Sequence, residues 1–184
     1  MRPKRKSISS ESLNLIGIPK KFHNAKLDDV SEKTKSRKDL KDFVRKYIED
    51  LENWQLEKGI FFFGSNGVGK TYLSSIILKH AYICRYTCYR ITFANYSDLY
   101  TRVWSGRNID EKTELEEKLY QYKGCEILVL EEIGKNIDST ISTPILEDLL
   151  RYREDKGLIT IICTNMTLDG VKELYGESVC SLIK

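Results

Sequence analysis

Apolar residues recur along this chain with two different periods. Leu40, Phe43, Val44, Tyr47, Ile48 and Leu51 return at steps of three and four, which predicts one apolar face of a helix. Ile60-Phe61-Phe62-Phe63 is a short continuous apolar run ended by Gly64, and reads as a buried parallel strand. Leu73, Ile76, Ile77, Ala81 and Cys84 then mark a second helix. The alternation repeats downstream. Strands are predicted at 89–93, 127–130 and 158–163. Helices are predicted at 96–104, 109–122, 143–155 and 168–175, with Pro144 in the first turn of the third of these. Strands separated by helices imply an α/β fold with a parallel sheet covered on both faces. Ligands of such sheets bind at the carboxyl ends of the strands.

The chemistry begins at the end of the first strand. Gly64-Ser65-Asn66-Gly67-Val68-Gly69-Lys70-Thr71 fits the pattern of a phosphate-binding loop. The context is what the mechanism needs: strand before, helix after. The glycines let the backbone curl so that its N–H groups face phosphate oxygens. The helix N-terminus adds partial positive charge. Lys70 is placed to reach the β- and γ-phosphates and Thr71 to ligate Mg²⁺. The expected cofactors are ATP and Mg²⁺. The expected nucleotide contacts are Gly64, Ser65, Asn66, Gly67, Val68, Gly69, Lys70, Thr71 and the following Tyr72.

A second run, Ile127 to Glu132, ends four aliphatic residues in two acids about sixty residues after Lys70. A whole strand lies between the two motifs. That layout fits the additional-strand P-loop NTPases, which include the AAA+ and RecA-like families. Glu131 stands at the position of a Mg²⁺-binding acid and Glu132 at that of a water-activating base. One strand later, Asn165 follows Thr160–Thr164, where a neutral amide can orient water beside the γ-phosphate. The candidate catalytic set is therefore Lys70, Glu132 and Asn165, with Thr71 and Glu131 for the metal.

Charge adds a basic N-terminal region. Residues 1–48 carry 14 Lys and Arg against 6 Asp and Glu, and the remainder carries 16 against 21. The surplus suits nucleic acid or an acidic protein face, and equally a solvated extension. We expect residues 1–16 to form a basic, disordered arm and 17–184 to form the ATP-binding domain. No apolar run is long enough to cross a membrane, and no apolar segment follows the basic start, so a cytoplasmic location is expected. The five cysteines are scattered and odd in number, which suggests reduced, buried thiols instead of a disulfide framework or a zinc site.

Taken together, Gly17-Ile18-Pro19-Lys20-Lys21-Phe22, Phe62 to Thr71, Leu128 to Gly134, Tyr152-Arg153 and Thr160 to Asn165 resemble the AAA+ domain of the DnaC/DnaI-type helicase loaders and the related IstB-like ATPases. The resemblance runs from about residue 17 to the C-terminus. It implies a three-layer AAA+-like P-loop domain acting with a replicative DnaB-type helicase and single-stranded DNA. It also implies nucleotide-dependent self-association into a homo-oligomer. The family's DNA-facing segment corresponds to Tyr96, Tyr100, Arg102, Trp104 and Arg107, aromatics interleaved with arginines. Arg102, Trp104 and Arg107 are the candidate DNA contacts; the alternative is a packed helix face, which is the reading for Tyr96.

Three departures temper the implication. Glu131 stands where the family has Asp, displacing the carboxylate by a methylene. Leu182 stands where the family carries an arginine that reaches the neighbouring subunit's γ-phosphate, and it cannot stabilise charge. A separate helicase-binding domain is expected to be missing and the C-terminal lid to be small or absent. Four functions stay open: a loader tuned as a nucleotide switch with slow hydrolysis, a modulator of helicase or loader assembly using ATP structurally, a transposition ATPase, and, least favoured because of the intervening strand, a small-molecule kinase. Arg153 is expected to cap its own helix or to face a subunit interface.

Overall fold

The computed structural model describes residues 7–105, 109–135 and 139–183, with backbone alone at 109–111 and 139. Four parallel strands, β1 (Ile60–Phe63), β2 (Cys88–Thr92), β3 (Ile127–Ile133) and β4 (Ile159–Thr164), lie in the order β1-β4-β3-β2. The β4 strand thus separates the phosphate-loop strand from β3, as the additional-strand reading requires. All three pairings are parallel.

Seven helices connect and cover the strands: α1 (Ser10–Leu15), α2 (Lys35–Glu52), α3 (Lys70–Ile83), α4 (Phe93–Ser105), α5 (Ile109–Gly124), α6 (Ser139–Asp155) and α7 (Leu168–Ile183). Successive strand side chains point to opposite faces, so each strand feeds two cores. Ile127, Val129, Ile161 and Cys163 face α1, α2 and α3, together with Val44, Leu51, Ile76 and Leu78. Leu128, Leu130 and Ile162 face α4 to α7, together with Phe93, Tyr96, Leu146, Val171 and Val179. The result is three layers, with the loops at the carboxyl ends of the strands left free for a site.

The chain departs from the sequence expectations in four places. Residues 10–15, assigned to the arm, form α1: Ser9 caps it by accepting from Ser12 N–H, and Leu13 and the following Ile16 are buried. Two apolar side chains at this spacing find an unfilled patch of core, and that outweighs the shortness of the helix. Phe43, counted on the buried face of α2, is half exposed and packs beside Tyr47 at the surface. Pro144 lies inside α6 instead of opening it, because the helix begins at Ser139; the ring forfeits one backbone bond. The last helix extends past 175 to Ile183 with a break at Gly176, where φ is 88° and ψ 171°. It packs on α6, and no lid follows β4 among the described residues.

The polypeptide between α1 and α2 is held by two buried lysines. Lys79 donates to the carbonyls of His23 and Ala25, and Lys41 donates to those of Asp28 and Val30 while pairing with Glu32 at 2.8 Å. This lays the 19–30 segment across α3 and brings Phe22 edge-on to Tyr72.

Candidate functional site

A cavity of about 750 Å³ opens at the carboxyl ends of β1, β3 and β4. Asn66, Gly67, Gly69, Lys70, Thr71, Tyr72, Glu131, Glu132 and Asn165 line it, so three motifs far apart in sequence meet there. Ser65, Asn66, Gly67 and Val68 are exposed along the loop. Gly67 and Gly69 have φ of 80° and 107°, and the space a Cβ would take at each is open. L-residues rarely adopt such backbone, and the vacant volume is what a phosphate needs for close approach to the N–H groups.

Lys70 is folded back onto its loop. Its ammonium donates to Gly64 O at 2.7 Å, Ser65 O at 2.9 Å and Asn165 Oδ1 at 2.8 Å. Asn165 in turn donates through Nδ2 to Asn66 Oδ1 at 2.9 Å. These partners are neutral, so an incoming phosphate offers Lys70 a charged acceptor and a stronger bond. Thr164 fixes the asparagine's perch: its buried hydroxyl donates to Ile133 O at 2.9 Å and accepts from Met166 N–H at 3.1 Å. Tyr72 lines the cavity and ties its hydroxyl to both the N–H and the carbonyl of Lys26.

The two acids have different surroundings. A bulge in β3 sets Glu131 against Cys163 and Ile133 against Thr164, leaving Glu132 between them with φ of 61°. Positive φ at a non-glycine residue is strained backbone of the kind that gathers at functional sites. The bulge turns Glu132 outward, where its half-exposed carboxylate meets Lys135 at 3.2 Å. Glu131 is turned inward and is only 3% exposed. Arg90 Nη2 donates to its Oε2, and Ser74 Oγ approaches its Oε1 at 3.4 Å. Cys163, buried beside Glu131, has its thiol pushed up to about 12, first by burial and then by that carboxylate.

ATP and Mg²⁺ fit this site unequally. The loop, Lys70 and the first turn of α3 with Thr71 fit a triphosphate. Glu131, expected as a metal ligand, already carries a guanidinium, because the longer Glu side chain reaches Arg90 on β2. Arg90 escaped sequence reading altogether; its signal was a lone charge inside an otherwise apolar strand.

The candidate DNA contacts sit apart from the cavity. Trp104 on α4 is 70% exposed and lies against Tyr100 at 6.2 Å, and Arg102 is exposed on the same helix. Tyr96 is fully buried, as its packed-face reading has it. Arg107 lies outside the described residues. Arg153 neither caps its helix nor reaches outward. It is completely buried and donates to Thr160 Oγ1 and to the carbonyls of Tyr122, Lys123, Cys125 and Ile159. Leu182 is half-buried against the α4–α7 core. All five cysteines are free and buried, and no group of side chains suited to a metal occurs among the described residues.

A family model described as IstB-like ATP binding protein matches residues 9–181. The chain belongs to this ATP-binding family. It is similar to the replicative helicase loader DnaI of Bacillus subtilis (strain 168), 25% identical over 138 residues, which is 74% of this chain and 41% of that protein. It is also similar to the replicative helicase loader DnaC of Buchnera aphidicola subsp. Acyrthosiphon pisum, 24% identical over 168 residues, 91% of this chain and 66% of that one. The chain therefore spans between two-fifths and two-thirds of these relatives' length. Among solved structures, the DnaC helicase loader superposes with a TM-score of 0.74 at 25% identity, covering 90% of this chain and 94% of that one. The replication initiator DnaA bound to AMPPCP and single-stranded DNA shares the fold at a TM-score of 0.69 and 15% identity, over 90% and 48%. The fold is that of the AAA+ P-loop domains. No helix among the described residues is long and apolar enough to cross a membrane.

Proposed function

We propose that this protein binds ATP in the Gly64–Thr71 cavity and acts in DNA replication as a nucleotide-switched component of the helicase-loader type. Its partners in this reading are a replicative DnaB-type helicase, single-stranded DNA and further copies of itself. The observation that carries the reading is the convergence of an open phosphate loop, Glu132 and Asn165 on one cavity in a chain similar to loaders along most of its length. Lys70 exchanges its loop carbonyls for phosphate oxygens. Asn165, released from Lys70, is then free to orient a water, and Glu132 is the base beside it. Thr71 would hold through its hydroxyl a Mg²⁺ ion brought with the nucleotide, and the ion would supply charge neutralisation. Glu131, the expected second ligand of the ion, is held by Arg90. With Glu131 engaged and Leu182 uncharged, turnover is slow and occupancy is the signal. Arg102 and Trp104 meet the DNA strand, the ring stacking on bases and the guanidinium meeting phosphate.

Nucleotide titration and light-scattering size measurement test this directly. The wild type binds ATP and grows in size with a non-hydrolysable analogue, and Lys70→Ala does neither. Normal ATP affinity in Lys70→Ala refutes the reading. A transposition ATPase is the second reading, favoured by the family match itself. Tighter binding of double-stranded than single-stranded DNA decides for it.

A further inference from the structure

Arg90 lies at the middle of the edge strand β2, beside the inward acid of β3. Its side chain is 16% exposed and lines the ATP cavity. Nη2 donates to Glu131 Oε2, and Nη1 donates to Gly17 O at 3.2 Å. Nε is buried with no hydrogen-bond partner. A guanidinium has five N–H donors, so this one, at the wall of a cavity lined by Lys70 and Thr71, has N–H groups left for a further acceptor. A buried polar group left unpaired is costly, and an anion entering the cavity relieves that cost after a small rotation of the side chain.

The placement reproduces the charge order of a metal-dependent site. There a divalent cation sits between an acid at the end of a strand and the phosphate oxygens. Here a fixed monovalent cation sits against the acid, at the wall of the same cavity. Planar guanidinium matches phosphate as well as carboxylate, and it can serve both through different N–H groups. The extra methylene of Glu131 also finds its physical reason: the longer side chain meets the guanidinium across the β2–β3 pair, where Thr92 is its register partner.

We propose that Arg90 takes the place of the divalent cation in nucleotide binding, so that this protein binds ATP without Mg²⁺. The proposal rests on the ATP-cavity reading. Arg90 is a binding residue here: Glu131 holds it at the cavity wall, and the phosphates are the anion it receives. Mg²⁺ adds little affinity, because the acid that would hold it is already neutralised.

The test compares affinity for a fluorescent ATP analogue in excess Mg²⁺ and in EDTA, for wild type, Arg90→Lys and Arg90→Met. The wild type is expected to change by less than about threefold between the two conditions. Arg90→Met is expected to lose about tenfold or more in EDTA and to recover with Mg²⁺, because Glu131 is now open to the metal. Arg90→Lys keeps a cation, so it retains most of the metal-free affinity, and it guards against a folding defect in the Met variant. A wild type that loses tenfold or more in EDTA overturns the proposal, as does an Arg90→Met variant that binds metal-free ATP normally. Those outcomes leave the ATP-cavity reading intact. No binding by the wild type in either condition overturns both.

Discussion

Arg153 shows how much a single side chain can hold in this molecule. It reaches from α6 under the sheet and satisfies four backbone carbonyls, from the end of α5, the start of β3 and the start of β4. Truncation removes that shared donor from all four at once. Burial pushes the guanidinium below its ordinary range, and nearby Cys125 opposes that shift. Arg153→Met should destabilise the fold by about 3–5 kcal/mol, the range for breaking a buried charged network. Urea unfolding followed by circular dichroism measures it, and a loss below about 1 kcal/mol would contradict the assignment. Sequence reading placed this arginine at a helix end, which it does occupy. Periodicity along one helix cannot report that other elements bring carbonyls to it. Glu131 and Arg90 teach the same point from neighbouring strands: the first was read as a metal ligand and the second was not singled out, and each is the other's partner.

Among the elements, α1 and the turn after it are set by the sheet edge. Arg90 N–H donates to Ile16 O at 2.9 Å, and its guanidinium holds Gly17 O, so the entering chain continues the edge of β2 for one residue. Gly17 has φ of 87°, and a Cβ there would sit 2.4 Å from Arg90 O, a backbone atom that cannot swing away. Gly17→Ala is therefore expected to cost about 1–3 kcal/mol locally and to release α1. Hydrogen exchange reads this as faster exchange at residues 10–18 with the β-strand amides unchanged; unchanged protection of α1 would refute it. The strand bulge at Glu132 is the second decisive element. In a regular β3, residues 131 and 132 would simply point to opposite faces. The bulge instead sends one acid to Arg90 and the other to the cavity mouth, a difference no alternation pattern encodes.

Across the whole molecule, burial of ionisable groups sets an alkaline limit. The Cys163 thiol is pushed from 9.0 to about 12, and burial drives the Tyr47 and Tyr96 hydroxyls well above the ordinary phenol range. Each group stays protonated in the folded state while the unfolded chain ionises, so its contribution is present below the unfolded value and is lost as pH rises towards the folded one. Lys79, lowered first by burial and then by Lys26, acts in the opposite sense. The urea midpoint should accordingly fall steadily from pH 9 upwards. A midpoint that stays flat to pH 11 would contradict the shared burial of these groups.

By itself, the sequence determined the α/β architecture, the glycine-rich loop between β1 and α3 and the three motifs of the cavity. Those features are local: glycines that permit a curled backbone, a strand-to-helix junction that aims N–H groups, and apolar runs whose period fixes their element. The helix starting at Ser10, the inward acid with its arginine, the buried role of Arg153 and the exposure of Trp104 were decided by tertiary structure. Each depends on which elements become neighbours, a long-range outcome of sheet order and packing that residue spacing does not carry.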